Sequence, residues 1–264
     1  MWLAARSVGR WDPGQMSAPG TAWPRQVSAR RRAGTLLRLP AGLLLVTWRY
    51  VWRVTALHRC EEDGDSGDVP PPLPDAFMDD RAIQRLEDGS GSMFHRTFTV
   101  RIEGSRMTPE ALMNTLSRDF NRAAPFGAAV FHKTAGKAPQ ACAGDEYRVQ
   151  MPGPWDGPVR VVHCDAVSVR LATLRGHLEA GQIEFRAAET DGLLCFQVEA
   201  WARAGDRLAD LLYSRLRIAK EIQLNMWVHF CLRAAAIAKG RPRGGVSIVT
   251  RCVPHEVFAG VPNR

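Results

Sequence analysis

The chain has 264 residues, 45% of them apolar, which is enough to bury a sizeable core and excludes a largely disordered protein. Its net charge of +8 is unevenly placed, since residues 1–59 hold ten arginines against one aspartate, whereas residues 60–264 hold 25 basic and 26 acidic residues. The larger part of the chain is therefore near neutral. It has no basic stripe with interleaved aromatic residues, so we expect no nucleic-acid partner.

Six cysteines are spread singly along the chain, with no CxxC pair. Buried, reduced thiols are the ordinary interpretation of isolated cysteines in apolar surroundings. This pattern favours a reducing, cytoplasmic location. Arginine outnumbers lysine by 31 to 4, and alanine and glycine are abundant, which is typical of a high-GC bacterium.

The N-terminal region divides into three parts. Residues 1–33 have no periodicity and scattered Pro and Gly, which predicts a disordered basic N-terminus or a stretch upstream of a translation start at Met16. Residues 34–59 are apolar and arginine-rich, and charges interrupt them too often for a membrane-spanning helix. Residues 60–92 are acidic and rich in Pro, Gly and Ser, which predicts a linker.

The apolar segment 34–59 has the composition of an interfacial helix. Trp48 and Trp52 suit the headgroup region of a bilayer, and Arg49 and Arg53, one helical turn apart, suit an anionic surface. This predicts a peripheral contact with the inner face of the membrane. The alternative is a helix that packs on the domain's own sheet, with its arginines in water.

The domain proper is predicted over residues 93–240, followed by a C-terminal tail over 241–264. Thr108 followed by Pro109 predicts a short helix. Asp206 to Lys239 carry one long amphipathic pattern, closed by Gly240. About seven strands are predicted from period-2 alternation and turn residues, at 94–102, 128–134, 146–151, 159–163, 168–174, 182–188 and 193–202.

This element order predicts an α+β helix-grip fold, in which a curved antiparallel sheet wraps a long C-terminal helix. Four blocks of sequence then carry a family resemblance: GDEY at 144–147, MPGPWDGP at 151–158, TLRGHLEAG at 173–181 and WARAGD at 201–206. They resemble the domain-of-unknown-function family nineteen-ninety of actinobacteria and plants. The resemblance implies a fold like START proteins and birch-pollen allergens (the SRPBCC superfamily), and it implies no established activity.

His177 and Glu179 are the candidate catalytic residues, because an imidazole beside a carboxylate is suited to proton transfer. The alternative is a solvated hairpin turn with polar tips. No HExxH, CxxC, P-loop or dinucleotide motif occurs in the sequence, so neither a metal nor a cofactor is expected.

The function that the sequence favours is non-enzymatic binding of a hydrophobic small molecule or lipid in an internal cavity. One alternative is a cyclase, dehydratase or isomerase that uses His177 and Glu179, and another is a scaffold with a filled core. A rigid Pro/Gly hairpin would hold Trp155 at the cavity mouth. The other candidate ligand contacts lie on the last predicted strand and the long helix: Phe196, Val198, Trp201, Leu212, Leu216 and Met226.

Overall fold

The computed structural model describes residues 57–125, 129–150, 157–205 and 217–258. Three of the candidate ligand contacts, Trp155, Leu212 and Leu216, lie outside these ranges, as do Trp48, Arg49, Trp52 and Arg53 of the predicted membrane segment.

One large sheet dominates the described residues, and it has nine strands where the sequence predicts about seven. The spatial order is β1-β9-β2-β8-β7-β6-β5-β4-β3. All neighbours are antiparallel except β1 and β9, which run parallel. The strands are β1 (Leu57–Asp63), β2 (Ser90–Glu103), β3 (Val130–Ala135), β4 (Glu146–Gln150), β5 (Gly157–Cys164), β6 (Ser168–Thr173), β7 (Glu179–Thr190), β8 (Leu193–Ala204) and β9 (Arg241–Val253).

Among the described residues, four α-helices accompany the sheet: α1 (Asp75–Met78), α2 (Pro109–Arg118), α3 (Arg217–Ile237) and α4 (His255–Phe258). Helix α2 begins as predicted, because the Thr108 side chain accepts a hydrogen bond from the Ala111 N–H and Pro109 occupies the first turn. Helix α3 ends where Lys239 takes a positive φ of 54° and the Gly240 N–H donates to the Ala235 carbonyl at 3.1 Å. The predicted helix-grip fold is confirmed, with α3 as its long helix.

Helix α3 packs against one side of the sheet, which we call the inner face. Alternate residues of β2 and β8, such as Phe98 and Phe196, enter the same buried cluster as Phe230 of α3. A group of rings, here called the aromatic cluster, fills this layer with centroids 5.0–6.5 Å apart. It consists of Phe120, Phe131, Tyr147, Phe185, Phe196, Trp227 and Phe230.

The opposite side of the sheet, the outer face, is covered by residues 64–89, here called the strap. Ile83 of the strap packs with Val162, Ala172 and Leu174 in one apolar cluster. Leu86 packs against a second cluster that contains Met93 and Trp201. The strap lies in the region that we predicted from sequence to be a linker. Its contacts make it a layer of the fold.

Strand β9 lies in the region that we predicted from sequence to be a C-terminal tail. It pairs with β2 on one side and with β1 on the other, so it is an interior strand of the sheet. Val246, Ile248 and Val253 of β9 are buried. The sheet therefore extends beyond both ends of the predicted domain.

Candidate functional site

The inner face changes abruptly in side-chain size along β7 and β8. Phe185 and Val198 are opposite each other in the filled part, and the next inner pair on these strands is Ile183 and Ala200. From Ala200 onward the inner positions of β8 hold alanine, and the facing residue Gly181 of β7 has no side chain. We call these the small-residue region: Gly181, Ala200, Ala202 and Ala204.

Water reaches part of the inner face at this end of the sheet. Phe94, Ile183 and Ala202 are only half-buried, whereas Phe98, Phe185 and Phe196 in the aromatic cluster's layer are fully buried. Small side chains beside half-buried apolar ones mark a part of the inner face that the described aromatic rings do not cover. Within the described residues, the inner face therefore has one part packed with aromatic rings and one part lined by small side chains.

Two charged side chains border the small-residue region. Arg96 lies opposite Ala200 in β8 and opposite Thr250 in β9, and it is 4% exposed. Its guanidinium carbon lies 5.0 Å from the centroid of the Phe94 ring, a cation–π contact. Glu179 lies opposite Ala204 at the start of β7 and is 9% exposed.

Glu179 faces inward, as a contact of its neighbour Ala180 shows. Its neighbour Ala180 points to the outer face, because a Cβ placed on Gly89 of the strap would lie 3.1 Å from the Ala180 Cβ. Successive residues of a strand alternate between faces, so Glu179 shares the inner face with Phe185.

His177 also lies on the inner side. Gly157 is directly opposite Val149, a residue of the inner core, and a Cβ on Gly157 would overlap the His177 ring. Glycine at position 157 therefore lets the imidazole pack against β5. The His177 Nδ1 lies 2.9 Å from the Glu179 nitrogen and 3.1 Å from the Glu179 carbonyl oxygen, so the backbone of Glu179 orients the ring.

His177 lies beside the described neighbours of two segments that contain sequence-predicted site residues. His177 and Leu178 contact Gly205, because the Gly205 N–H donates to the Leu178 carbonyl at 2.6 Å. Gly157 follows the segment 151–156, which contains Trp155, and Gly205 precedes the segment 206–216, which contains Leu212 and Leu216. The described ends of both segments therefore meet at His177.

The described candidate ligand contacts do not share one wall. Phe196, Val198 and Met226 belong to the inner core and are at most 4% exposed. Trp201 lies on the outer face, where its ring stacks on His95 at 5.3 Å and packs with Met93 and Val253. A ligand bound on the inner face could contact Phe196 but not Trp201, because the two side chains lie on opposite faces of the sheet.

A second polar centre, which sequence reasoning did not find, lies beneath the strap. His95 is 7% exposed, and its Nδ1 lies 2.9 Å from Asp68 Oδ1 while its Nε2 lies 2.7 Å from Glu199 Oε1. Gln197 Nε2 donates to Glu199 Oε2 at 3.0 Å, and Arg251 Nη1 lies 3.5 Å from Asp68 Oδ1. The sequence contains one signal for this centre, since His95 and Glu199 both occupy the polar face of their strands.

Burial and the neighbouring carboxylates shift the pKa of His95 in opposite directions. Burial by itself lowers the pKa, but hydrogen bonds from the ring to Glu199 and Asp68, and the negative charges of both, raise the pKa above its usual value. For Asp68, burial raises the pKa, but the backbone N–H of Asp65 and the imidazole outweigh it and leave the pKa below its usual value. The arrangement therefore favours an imidazolium between two carboxylates.

Comparison with known proteins gives the family. The family model described as "Domain of unknown function (DUF1990)" matches residues 66–233, which include most of the strap, the small-residue region and most of α3. The chain belongs to the DUF1990 family. No curated protein matches this DUF1990 member.

Solved structures that resemble this DUF1990 protein share little sequence with it. Ara h 8.0201 is 10% identical with a TM-score of 0.40, over 55% of this chain and 98% of that chain. The di-domain ARO/CYC StfQ from the steffimycin biosynthetic pathway is 8% identical with a TM-score of 0.41, over 58% and 52%. Norcoclaurine synthase from Thalictrum flavum is 8% identical with a TM-score of 0.40, over 57% and 96%.

The described part of the chain holds neither a candidate membrane-spanning helix nor a candidate metal cluster. None of its helices combines the length and apolarity needed to cross a membrane. Its His, Cys, Asp and Glu side chains form no group of three or more that could hold a metal ion.

Proposed function

We propose that this DUF1990 protein binds an apolar small molecule or lipid against the small-residue region of the inner face, in the cytoplasm. The observation that carries the proposal is the step from large to small side chains between Phe185–Val198 and the alanines that follow on β8. Ligand sites are mostly apolar with a few polar groups that fix orientation. Ala200 and Ala202 supply apolar wall here, and Arg96 and Glu179 supply the polar groups.

The segments next to this region complete the proposed site. Trp155, Leu212 and Leu216 stand in segments whose described ends, at Gly157 and Gly205, lie beside His177. We keep these three as proposed ligand contacts, and Phe196, Val198 and Met226 as the floor beneath them. Trp201 is left out because it lies on the outer face.

Native mass spectrometry of the full chain, purified from its own host, tests the proposal. We expect a co-purifying apolar molecule that organic extraction removes and that total lipid extract restores. A clean apo mass under gentle ionisation, unchanged after addition of lipid extract, would count against binding and favour a scaffold with a filled core.

Acid–base catalysis is a second candidate, and one observation favours it. The His177 ring and the Glu179 carboxylate both lie on the inner side, at the same end of the sheet. A cyclase, dehydratase or isomerase would need such a pair to move a proton on a substrate in the small-residue region.

The catalytic candidate predicts that a defective variant traps substrate in place of product. Glu179→Gln keeps the shape of the side chain and removes the base, so its co-purifying molecule should differ in mass or isomeric form from that of the wild type. His177→Gln should give the same result, and Gln182→Glu, on the outer face of the same strand, should not. Identical molecules from all four proteins would rule out catalysis by this pair and leave the binding proposal standing.

A further inference from the structure

One corner of the sheet, where β2 ends and β9 begins, gathers exposed positive charge. Its five cations, here called the basic corner, are Arg101, Arg106, Lys239, Arg241 and Arg243. Two contacts hold the corner together: the Ser105 hydroxyl donates to the Ala238 carbonyl at 2.9 Å, and Gly240 packs against the Glu103 carbonyl and the Ser105 nitrogen. Cations from two separate segments, the end of β2 with the residues after it and the start of β9 with Lys239 before it, therefore lie at one corner.

The placement of these charges works against the stability of the sheet. Arg101 and Arg243 are directly opposite each other in the β2–β9 pairing. Like charges in directly opposite positions of an antiparallel pair are destabilising. Helix-dipole attraction accounts for Lys239 just beyond the C-terminus of α3, but it does not account for this arginine pair.

Little negative charge compensates the basic corner. Within the described ranges none of its five cations forms a salt bridge. Glu103 lies opposite Arg241, and Asp191 occupies the β7–β8 turn, on the other side of β2 from β9. The corner therefore presents a net positive surface to solvent.

The described chain begins at this same corner. Leu57 is paired with Val246, and the His58 Nε2 lies 2.9 Å from the Gly244 carbonyl oxygen, one residue from Arg243. The residues directly before Leu57 are the apolar, arginine-rich segment with Trp48, Arg49, Trp52 and Arg53. Sequence suited to a bilayer interface thus enters the fold beside its basic corner.

We propose that the basic corner is the surface with which the folded domain rests on an anionic membrane, so that the segment before Leu57 and the corner engage one bilayer together. Juxtamembrane cations are attracted to anionic lipid headgroups, and the attraction adds over neighbouring charges. Two weak attachments at one place give stable membrane binding where one alone is reversible. This orientation directs the starts of β1 and β9 toward the bilayer, and it leaves the acidic end of β1 (residues 61–63) and the β3–β4 edge farther from it.

Vesicle co-sedimentation of the full chain tests the proposal with matched charge reversals. The corner variant is Arg101→Glu, Arg241→Glu and Arg243→Glu together. The control variant is Arg118→Glu, Arg122→Glu and Lys137→Glu together, three exposed cations on α2, in the turn after it and in the β3–β4 connection. Both triples change the net charge equally, and thermal unfolding checks that both proteins fold.

On vesicles with about 30% phosphatidylserine at about 0.1 M salt, we expect the corner variant to bind at least tenfold more weakly than the wild type. The control variant should bind like the wild type, and vesicles of phosphatidylcholine alone should bind all three weakly. Equal losses in the corner and control variants, or no sedimentation of the wild type, would overturn the proposal.

A lysine series keeps the test decisive if charge reversal unfolds the corner. A membrane presents a continuous negative surface, so Arg101→Lys, Arg241→Lys and Arg243→Lys together should retain binding. If these lysine substitutions abolish binding, the partner recognises the planar guanidinium group and not only its charge, as a nucleic acid or a protein carboxylate does. The proposal of a membrane surface is then wrong.

Discussion

His95 shows how a single buried side chain connects the strap to the sheet. Protonated, the imidazole donates one hydrogen bond to Asp68 of the strap and one to Glu199 of β8. Neutral imidazole has one N–H, so deprotonation leaves one of these carboxylates without its donor. The charged groups around the ring are Asp68 and Glu199, with Arg251 against Asp68.

We therefore predict that stability falls as pH rises above neutrality. The pKa of His95 is raised in the folded state, so its contribution is fully present below the unfolded pKa of about 6.5 and is lost as pH rises through the folded pKa. His95→Gln should lower the free energy of unfolding by about 1–3 kcal/mol at pH 6 and remove this part of the slope.

Urea unfolding between about pH 5 and pH 9 measures the effect. The matched control is His163→Gln, which removes an exposed histidine that pairs with Asp165. A His95→Gln protein with the same pH slope as the wild type would show that the bridge to Asp68 and Glu199 does not stabilise the fold.

Sequence patterns link residues that are neighbours in the chain, and they miss contacts between residues that are far apart in it. His177 and Glu179 stand two positions apart in one motif, so sequence placed them together. His95 lies 27 positions from Asp68 and 104 from Glu199, and only the folded sheet brings the three side chains into contact. Strand alternation assigned His95 to a polar face, and it could not reveal that another segment covers that face.

At the scale of elements, the strap is the main departure from the sequence prediction. Its Pro, Gly and acidic residues are typical of a linker, yet Val69, Leu73, Phe77, Ile83 and Leu86 all pack on the outer face. Their spacing follows neither a helical nor a strand period, because the strap crosses the strands with short turns. Periodicity therefore does not predict the strap. The spaced apolar residues in this acidic stretch are the sequence feature that indicates packing on the fold.

Arg203 fastens the strap to β8. It is 3% exposed, and its guanidinium donates to the Leu86 carbonyl at 2.8 Å and to the Gly91 carbonyl at 2.9 Å. We predict that Arg203→Gln lowers the free energy of unfolding by about 1–3 kcal/mol, because it removes two charge-assisted hydrogen bonds made by a buried guanidinium.

Limited trypsin digestion localises that effect. Cleavage after Arg81 or Arg85 should become about tenfold faster in Arg203→Gln, because local opening of the strap exposes its backbone. Arg118→Gln removes an exposed arginine on α2 and should leave cleavage unchanged. Slower cleavage in the strap, or equal cleavage in both variants, would contradict the role of Arg203.

For the whole molecule, the order of strands and helices predicted the helix-grip fold because each signal was local. Thr108-Pro109 began α2, and Asp191-Gly192 marked the β7–β8 turn, where both residues have positive φ. Strands β1 and β9 were missed because β1 pairs only with a strand almost 190 positions away. The change from large to small side chains on the inner face was also not predictable from sequence, because Ile183 and Ala200 become neighbours only when β7 pairs with β8.

We propose that the inner face is tightly packed beside the aromatic cluster and open to a ligand at the small-residue region. Two alanine-to-phenylalanine substitutions test this proposal most directly. Ala187 and Ala200 both face inward, the first opposite Phe196 and the second opposite Ile183. Phenylalanine at position 200 should occupy the proposed ligand volume, whereas at position 187 it must displace packed rings.

The measurement is urea unfolding of Ala200→Phe and Ala187→Phe, together with native mass spectrometry of each. We predict that Ala200→Phe changes the free energy of unfolding by less than about 1 kcal/mol and abolishes the co-purifying ligand, while Ala187→Phe destabilises by about 1–3 kcal/mol. Equal destabilisation by both substitutions, with no ligand in the wild type, would show that the inner face is filled throughout.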